Sequence, residues 1–139
     1  MMAAAPTFSK RERMTSHLLM EALFENDSSQ SVSAYPLRAV YQTIGRQGDH
    51  VPAQILISVP KKRFKHAVDR NRVKRQIREA YRRHKQLLHE TLPAQQQLLL
   101  AFVWLSDRHL ASAEVENRVQ SLLRRIVEKE GDVLTTRDS

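Results

Sequence analysis

The sequence predicts an α+β fold, a small mixed sheet packed with helices, its elements in the order α-β-β-α-β-α. Three observations predict it. Apolar residues recur at helical spacing in segments near 9–24, 67–88 and 111–130. Short alternating or continuously apolar runs at 35–44, 53–59 and 97–106 read as strands. Glycine is scarce, 3 in 139 residues, too few for an all-β fold built on tight turns, and the length suits one domain with a modest core.

The first helix is carried by Met14, Leu18, Leu19, Ala22 and Leu23, with Ser9 as N-cap and Glu12 completing a capping box. The polar stretch 25–33 reads as a loop. In the strand 35–44, Leu37, Ala39 and Tyr41 share one face and Arg38, Val40 and Gln42 the other, and Pro36 suits a strand entrance. Residues 45–52 contain two glycines and form a turn. The run 53–59 is apolar on both parities, which predicts a central strand. Residues 60–66 lead into a long helix at 67–88, and 97–106 is a buried strand. The closing helix carries Val115, Val119, Leu122, Leu123, Ile126 and Val127 on one stripe, with Ser112 as N-cap. Residues 1–130 are read as a single domain, and the tail from Gly131 is expected to be disordered.

The formal net charge is +8, and its distribution says more than its sum. Residues 61–85 hold twelve Lys or Arg against Asp69 and Glu79, a net of +10, while the rest of the chain carries −2. Such a local patch suits a polyanion, nucleic acid first and an anionic membrane second. With no cysteine there are no disulfides, Cys zinc sites or thiol nucleophiles. No apolar run reaches membrane-span length, and the N-terminus lacks the apolar stretch of a secretory signal, so the cytoplasm is the expected location.

The geometry of the basic helix decides between its possible partners. With Val73 at zero and about 100° per residue, Ile77, Ala80, Tyr81, His84, Leu87 and Leu88 fall on one buried arc. Asn71, Lys74, Arg75, Arg78, Arg82 and Lys85 form a cationic stripe roughly three turns long. Arg72, Arg83 and Glu79 occupy the third side, where charge is partly balanced. An ordinary solvated face mixes signs and gains about 0.3 kcal/mol from each i,i+4 ion pair, which this stripe forgoes. Arginine dominates it, and the planar guanidinium pairs bidentately with phosphate and stacks on bases, favouring structured RNA or DNA over lipid. Asn71 could read a 2′-hydroxyl, a base edge or a metal-bound water, or could serve as a helix cap. Lys61, Lys62, Arg63 and Lys65 cluster at the strand-to-helix junction beside the stripe, behind Pro60.

The segment "ISVPKKRFKHAVDRNRVKRQIREAYR", residues 57–82, resembles the signature of the bacterial ribonuclease P protein subunit. The matching residues are Ser58, Val59, Lys61, Lys62, Ala67, Val68, Arg70, Asn71, Arg72, Val73, Lys74 and Arg75, continuing through Ile77 and Arg78. Outside that stretch the resemblance is one of layout, over roughly residues 8 to 128. It implies a protein cofactor of a catalytic RNA that removes the 5′ leader from precursor tRNA, with Mg2+ held mainly by the RNA and none bound by the protein alone. It implies a 1:1 complex with the ribonuclease P catalytic RNA, a left-handed β-α-β crossover, and RNA contacts by Lys61, Lys62, Arg70, Asn71, Arg72, Lys74, Arg75 and Arg78. Phe8, Lys10 and Arg11 would lie near the leader cleft. The family often has glycine in the connector where this chain has Arg63, Phe64 and Lys65, so Phe64 must change the backbone there or pack down. Met14 or Leu18 stands where the family commonly presents an aromatic, and Tyr35, Tyr41 or an arginine could stack on leader bases instead.

Catalytic chemistry is missing from the chain itself. The histidines, at 17, 50, 66, 84, 89 and 109, are scattered, and Glu114 and Glu116 do not share a helix face. His84 lies on the buried arc and reads as a core or boundary residue. No phosphate-binding loop, zinc pattern or nucleophile elbow is present, so neither catalytic nor metal-ligating residues are expected. The rival readings are a general RNA- or DNA-binding module and a self-sufficient metal-dependent nuclease.

Overall fold

The computed structural model describes residues 23, 29–45, 53–92 and 96–138, with side chains through 129. The N-terminal helix expected at 9–24, apart from Leu23, lies outside the described residues, as do Phe8, Lys10 and Arg11. The described elements are β1 Gln30–Ala34, β2 Leu37–Gly45, β3 Ala53–Ser58, α1 Ala67–Thr91, β4 Gln96–Trp104 and α2 Ser112–Asp138. The expected class, α+β with helices on a small mixed sheet, is borne out.

The sheet is four-stranded in the order β1-β2-β4-β3. β1, β2 and β4 run antiparallel, while β3 runs parallel to β4 and reaches it through α1. β1 corrects the reading of 25–33 as loop. Its sequence, QSVSA, offers only Val32 to the core, so it carries almost no hydrophobic signal and is a strand because β2 pairs it. β3 corrects a second expectation, because it is an edge strand and β4 is central. Its apolar residues on both parities answer to two covered faces, Ala53 and Ile55 under the helices and Leu56 against the cluster around Leu23.

The main core lies between one sheet face and the two helices. Leu37, Ala39 and Tyr41 of β2 and Leu98, Leu100, Phe102 and Trp104 of β4 pack there on Val73, Ile77, Ala80, Tyr81 and Leu88 of α1. α2 contributes Val115, Val119, Leu122, Leu123 and Ile126 to the same core, as the stripe predicts. Leu87, at the rim of the predicted arc, is instead 38% exposed. On the second sheet face Leu23 packs with Val40, Leu99 and Ala101.

Two helix-end expectations change. The Ala111 carbonyl accepts the first bonds of α2, from the N–H groups of Glu114 and Val115, so Ser112 is inside the helix and not its cap. α2 also runs to Asp138, past the expected start of the tail. In sequence, Val133 and Leu134 fall seven positions after Ile126 and Val127, so the apolar spacing continues across Gly131.

Candidate nucleic-acid interface

The cationic surface begins where β3 ends. Pro60 opens a tight turn in which the Arg63 N–H donates to the Pro60 carbonyl at 3.0 Å. Lys61 and Lys62 occupy its two central positions and are exposed, as is Lys65, while Arg63 is half-buried. Phe64 packs down, 8% exposed, and its ring stacks on His109 with centroids 4.6 Å apart. Of the two outcomes expected for Phe64, a changed backbone or packing down, the side chain packs down.

Helix α1 starts after His66, whose carbonyl accepts from the Asp69 and Arg70 N–H groups and whose side chain makes no cap bond. Asn71 is therefore inside the helix and exposed, which removes the capping role for it. Arg72 and Arg75 are exposed, and Lys74, Arg78 and Lys85 are half-buried along the same helix. Among the described residues, Lys61, Lys62, Lys65, Arg72, Lys74 and Arg75 have no carboxylate partner. Arg72, expected on a partly balanced side, belongs with this free set because Glu79 is seven residues on, out of i,i+4 reach.

Two expected contact residues are engaged within the protein. Arg82 gives Nη2 to Glu79 Oε1 at 2.5 Å and Nε to Oε2 at 3.0 Å, so it leaves the acid-free stripe. The cause is spacing: at i,i+3, Glu79 lies only about 60° around the helix from it. These bonds draw the Glu79 carboxyl below its ordinary range, with Arg83 adding to the effect. Arg70 donates from Nη1 to the Phe64 carbonyl at 2.8 Å and the Lys65 carbonyl at 3.0 Å, fastening the connector to the first turn of α1.

Asp69 and Glu116 are engaged by groups outside the set of free cations. His109 of the β4–α2 segment bonds Asp69 at 3.1 Å, and Glu116, one turn into α2, takes His84 at 2.9 Å and Arg83 at 3.6 Å. His84 is a boundary residue, as expected. Of the two tyrosines offered as base-stacking groups, Tyr35 is 69% exposed at the β1–β2 turn. Tyr41 is 1% exposed, in the core, with its hydroxyl donating to Gln30 Oε1; its even alternation with Leu37 and Ala39 already assigns it that face.

A family model described as Ribonuclease P matches residues 8–127. The chain belongs to the ribonuclease P protein family. The ribonuclease P protein component of Porphyromonas gingivalis is 40% identical over 128 residues, covering 90% of this chain and 91% of its own. That of Chlorobium phaeobacteroides is 43% identical over 81 residues, 57% of this chain and 54% of that one. The fold is shared with the RNase P protein of Staphylococcus aureus at TM-score 0.62 and 19% identity, over 83% of this chain and 94% of that one. It is shared with that of Thermotoga maritima at TM-score 0.54 and 20% identity, over 82% and 96%.

The geometry exposes two residues to which the sequence reading assigned no contact role. Arg38 is exposed on the second sheet face, in a cross-strand row with Ser33, Val103 and Ser58, two residues before the Pro60 turn. Its parity, opposite to the core residues of β2, was the available signal. Val68 is 73% exposed in the first turn of α1, between Lys65 and Arg72. Its exposure is a tertiary fact with no signal in residue type.

Proposed function

We propose that this ribonuclease P protein docks on the catalytic RNA through the turn at 60–63 and the first three turns of α1, and assists magnesium-dependent removal of the 5′ leader from precursor tRNA. Family membership makes it a component of the endoribonuclease holoenzyme of tRNA 5′ processing, partnered with the ribonuclease P RNA. The observation that carries the docking surface is the set of cations with no carboxylate partner among the described residues, Lys61, Lys62, Lys65, Arg72, Lys74 and Arg75. Closely spaced like charges raise the free energy of the folded chain, and a phosphate backbone removes that repulsion while releasing counterions. Asn71 and Arg78 flank these cations, and Arg63 and Arg70 support them from the connector side.

The leader belongs to a separate surface in this reading. Arg38 offers a guanidinium plane on the second sheet face and Tyr35 an exposed ring, and either supplies the stacking that aromatics commonly give in the family. Phe8, Lys10 and Arg11 complete the proposed leader cleft from the N-terminal segment.

Chemistry is assigned to the RNA. Among the described residues no group of three or more His, Asp or Glu is placed to hold a metal ion. Asp69, Glu79 and Glu116 are each engaged by a basic side chain, which disfavours them as magnesium ligands. Magnesium is therefore proposed to sit mainly on the RNA, which supplies the nucleophile-activating chemistry when the ion is bound. The protein neutralises phosphate and positions substrate, one protein per RNA. No helix among the described residues is long and apolar enough to cross a membrane, and the cytoplasm is the proposed compartment.

Reconstitution tests the reading. The protein alone is expected to leave precursor tRNA intact, and adding it to the RNA subunit should raise cleavage most at low magnesium. Cleavage by protein without RNA would support a self-sufficient nuclease. RNA binding with no gain in cleavage would support a general binding module.

A further inference from the structure

Residues 60–66 carry Lys61, Lys62 and Lys65 of the docking surface, with half-buried Arg63 beside them, yet have no place in the sheet or helix. Their backbone is held by the bond within the Pro60 turn and by the Arg70 clamp. The third restraint comes from the segment between β4 and α2. His109 stacks on Phe64 at an interplanar angle of 18°, and its Nε2 lies 3.1 Å from Asp69 Oδ1. An ionised carboxylate only accepts, so Nε2 carries the hydrogen and donates. Nδ1 is buried and has no partner among the described residues. A hydrogen there would be a buried unsatisfied donor, so the neutral ring keeps the Nε2–H tautomer that Asp69 selects. The segment bearing His109 is itself fixed to α1, because Gln76 Nε2 donates to the Leu110 carbonyl at 3.0 Å and to Ser112 Oγ at 3.1 Å.

We propose that His109 is a positioning residue for RNA docking: oriented by Asp69, it holds Phe64 down and thereby presents Lys61, Lys62 and Lys65 to the RNA in one arrangement. The inference rests on the docking surface proposed above. Mutual repulsion among Lys61, Lys62, Arg63 and Lys65 favours an open, mobile connector, and ordering long side chains on binding costs affinity. An aromatic stack set by a hydrogen bond removes part of that cost before the RNA arrives. His109 acts through Phe64 and need not touch RNA.

The test is a double-mutant cycle on affinity for the RNA subunit. His109→Ala, His109→Phe and His109→Gln are each made alone and in a Lys61→Ala/Lys62→Ala background, with thermal unfolding of each. His109→Ala is expected to weaken binding about fivefold, the order of one long side chain left to be ordered on binding. In the Lys61→Ala/Lys62→Ala background the same substitution should cost less than about twofold, because most of its effect runs through those two lysines. His109→Phe, which keeps the stack, should retain most of the affinity, while His109→Gln, which keeps a donor to Asp69 but no ring, should not. If His109→Ala fails to fold, the contrast between the Phe and Gln variants carries the same information. An equal loss in both backgrounds, or no loss, would overturn the positioning role. Wild-type affinity indifferent to Lys61 and Lys62 would remove the 60–63 turn from the docking surface and with it the premise of this inference, and that result is read before any His109 variant.

Discussion

Two halves of one helix, α1, both carry arginine and lysine, four in residues 70–75 and two in residues 79–84, and dispose of their charge in opposite ways. In residues 79–84, Glu79 binds Arg82 and Arg83, and Glu116 of α2 takes Arg83 and His84. In residues 70–75, Arg72, Lys74 and Arg75 meet no acid among the described residues, and the nearby Asp69 is turned to His109. The cationic stripe drawn by helical angle runs through both halves, but the protein itself neutralises only the C-terminal one. Density of basic residues therefore locates a helix, and the placement of a few carboxylates decides which part of it is left for a polyanion.

The largest expected effect breaks this contrast from the free side. Reversing charge with Arg72→Glu and Arg75→Glu together should weaken binding to the RNA subunit by at least about 100-fold, since each charge-assisted contact contributes about 1.5–3 kcal/mol. The equivalent pair Arg82→Glu and Arg83→Glu should cost far less in affinity when measured by filter binding at the same salt. A second substitution probes the core that supports both halves. Ile77→Ala removes a fully buried side chain between the helix and the sheet. It should lower unfolding free energy by about 2–4 kcal/mol in urea titrations, with the affinity of the folded protein preserved.

Smaller effects sharpen the comparison. Arg82→Ala should change RNA affinity less than about threefold, the scale expected of an exposed ion-pair partner. Glu79→Gln should raise affinity slightly by releasing Arg82 and Arg83. It should also alter the acid limb of the stability profile. The Arg82 bonds hold the folded-state carboxyl of Glu79 below its ordinary value, so the native protein binds fewer protons there than the unfolded chain. That contribution is complete above the ordinary carboxylate value of about 4.3 and is lost as pH falls through the lower folded value. Urea midpoints followed from pH 7 to pH 3 should show this step in the native sequence and lack it in the Gln variant.

Much of this was legible in the sequence, for identifiable reasons. Leu37, Ala39 and Tyr41, and Val115 through Ile126, are found on the faces their spacing assigns, because periodicity reports burial directly. The Lys61–Arg78 patch followed from charge and motif. The strand β1 was not legible: with one core residue, its identity depends on pairing with β2. The edge position of β3 was hidden because double-sided burial looks the same at an edge covered from both sides as in the centre. Arg82 was assigned to an acid-free stripe because the arc was cut between it and Glu79, although the two lie only about 60° apart around the helix and form an ion pair. Phe64 on His109 joins residues 45 positions apart, a contact that no local pattern announces.

The central claim is that the N-terminal half of α1 is open to RNA phosphate and the C-terminal half is not. The direct measurement is the salt dependence of RNA-subunit binding for Arg72→Ala/Arg75→Ala beside Arg82→Ala/Arg83→Ala. Losing two phosphate contacts should shrink the magnitude of the log–log slope by about 1.4–1.8 in the first pair and leave it near the wild-type value in the second. An unchanged slope in the first pair, or an equal drop in both, would contradict the account.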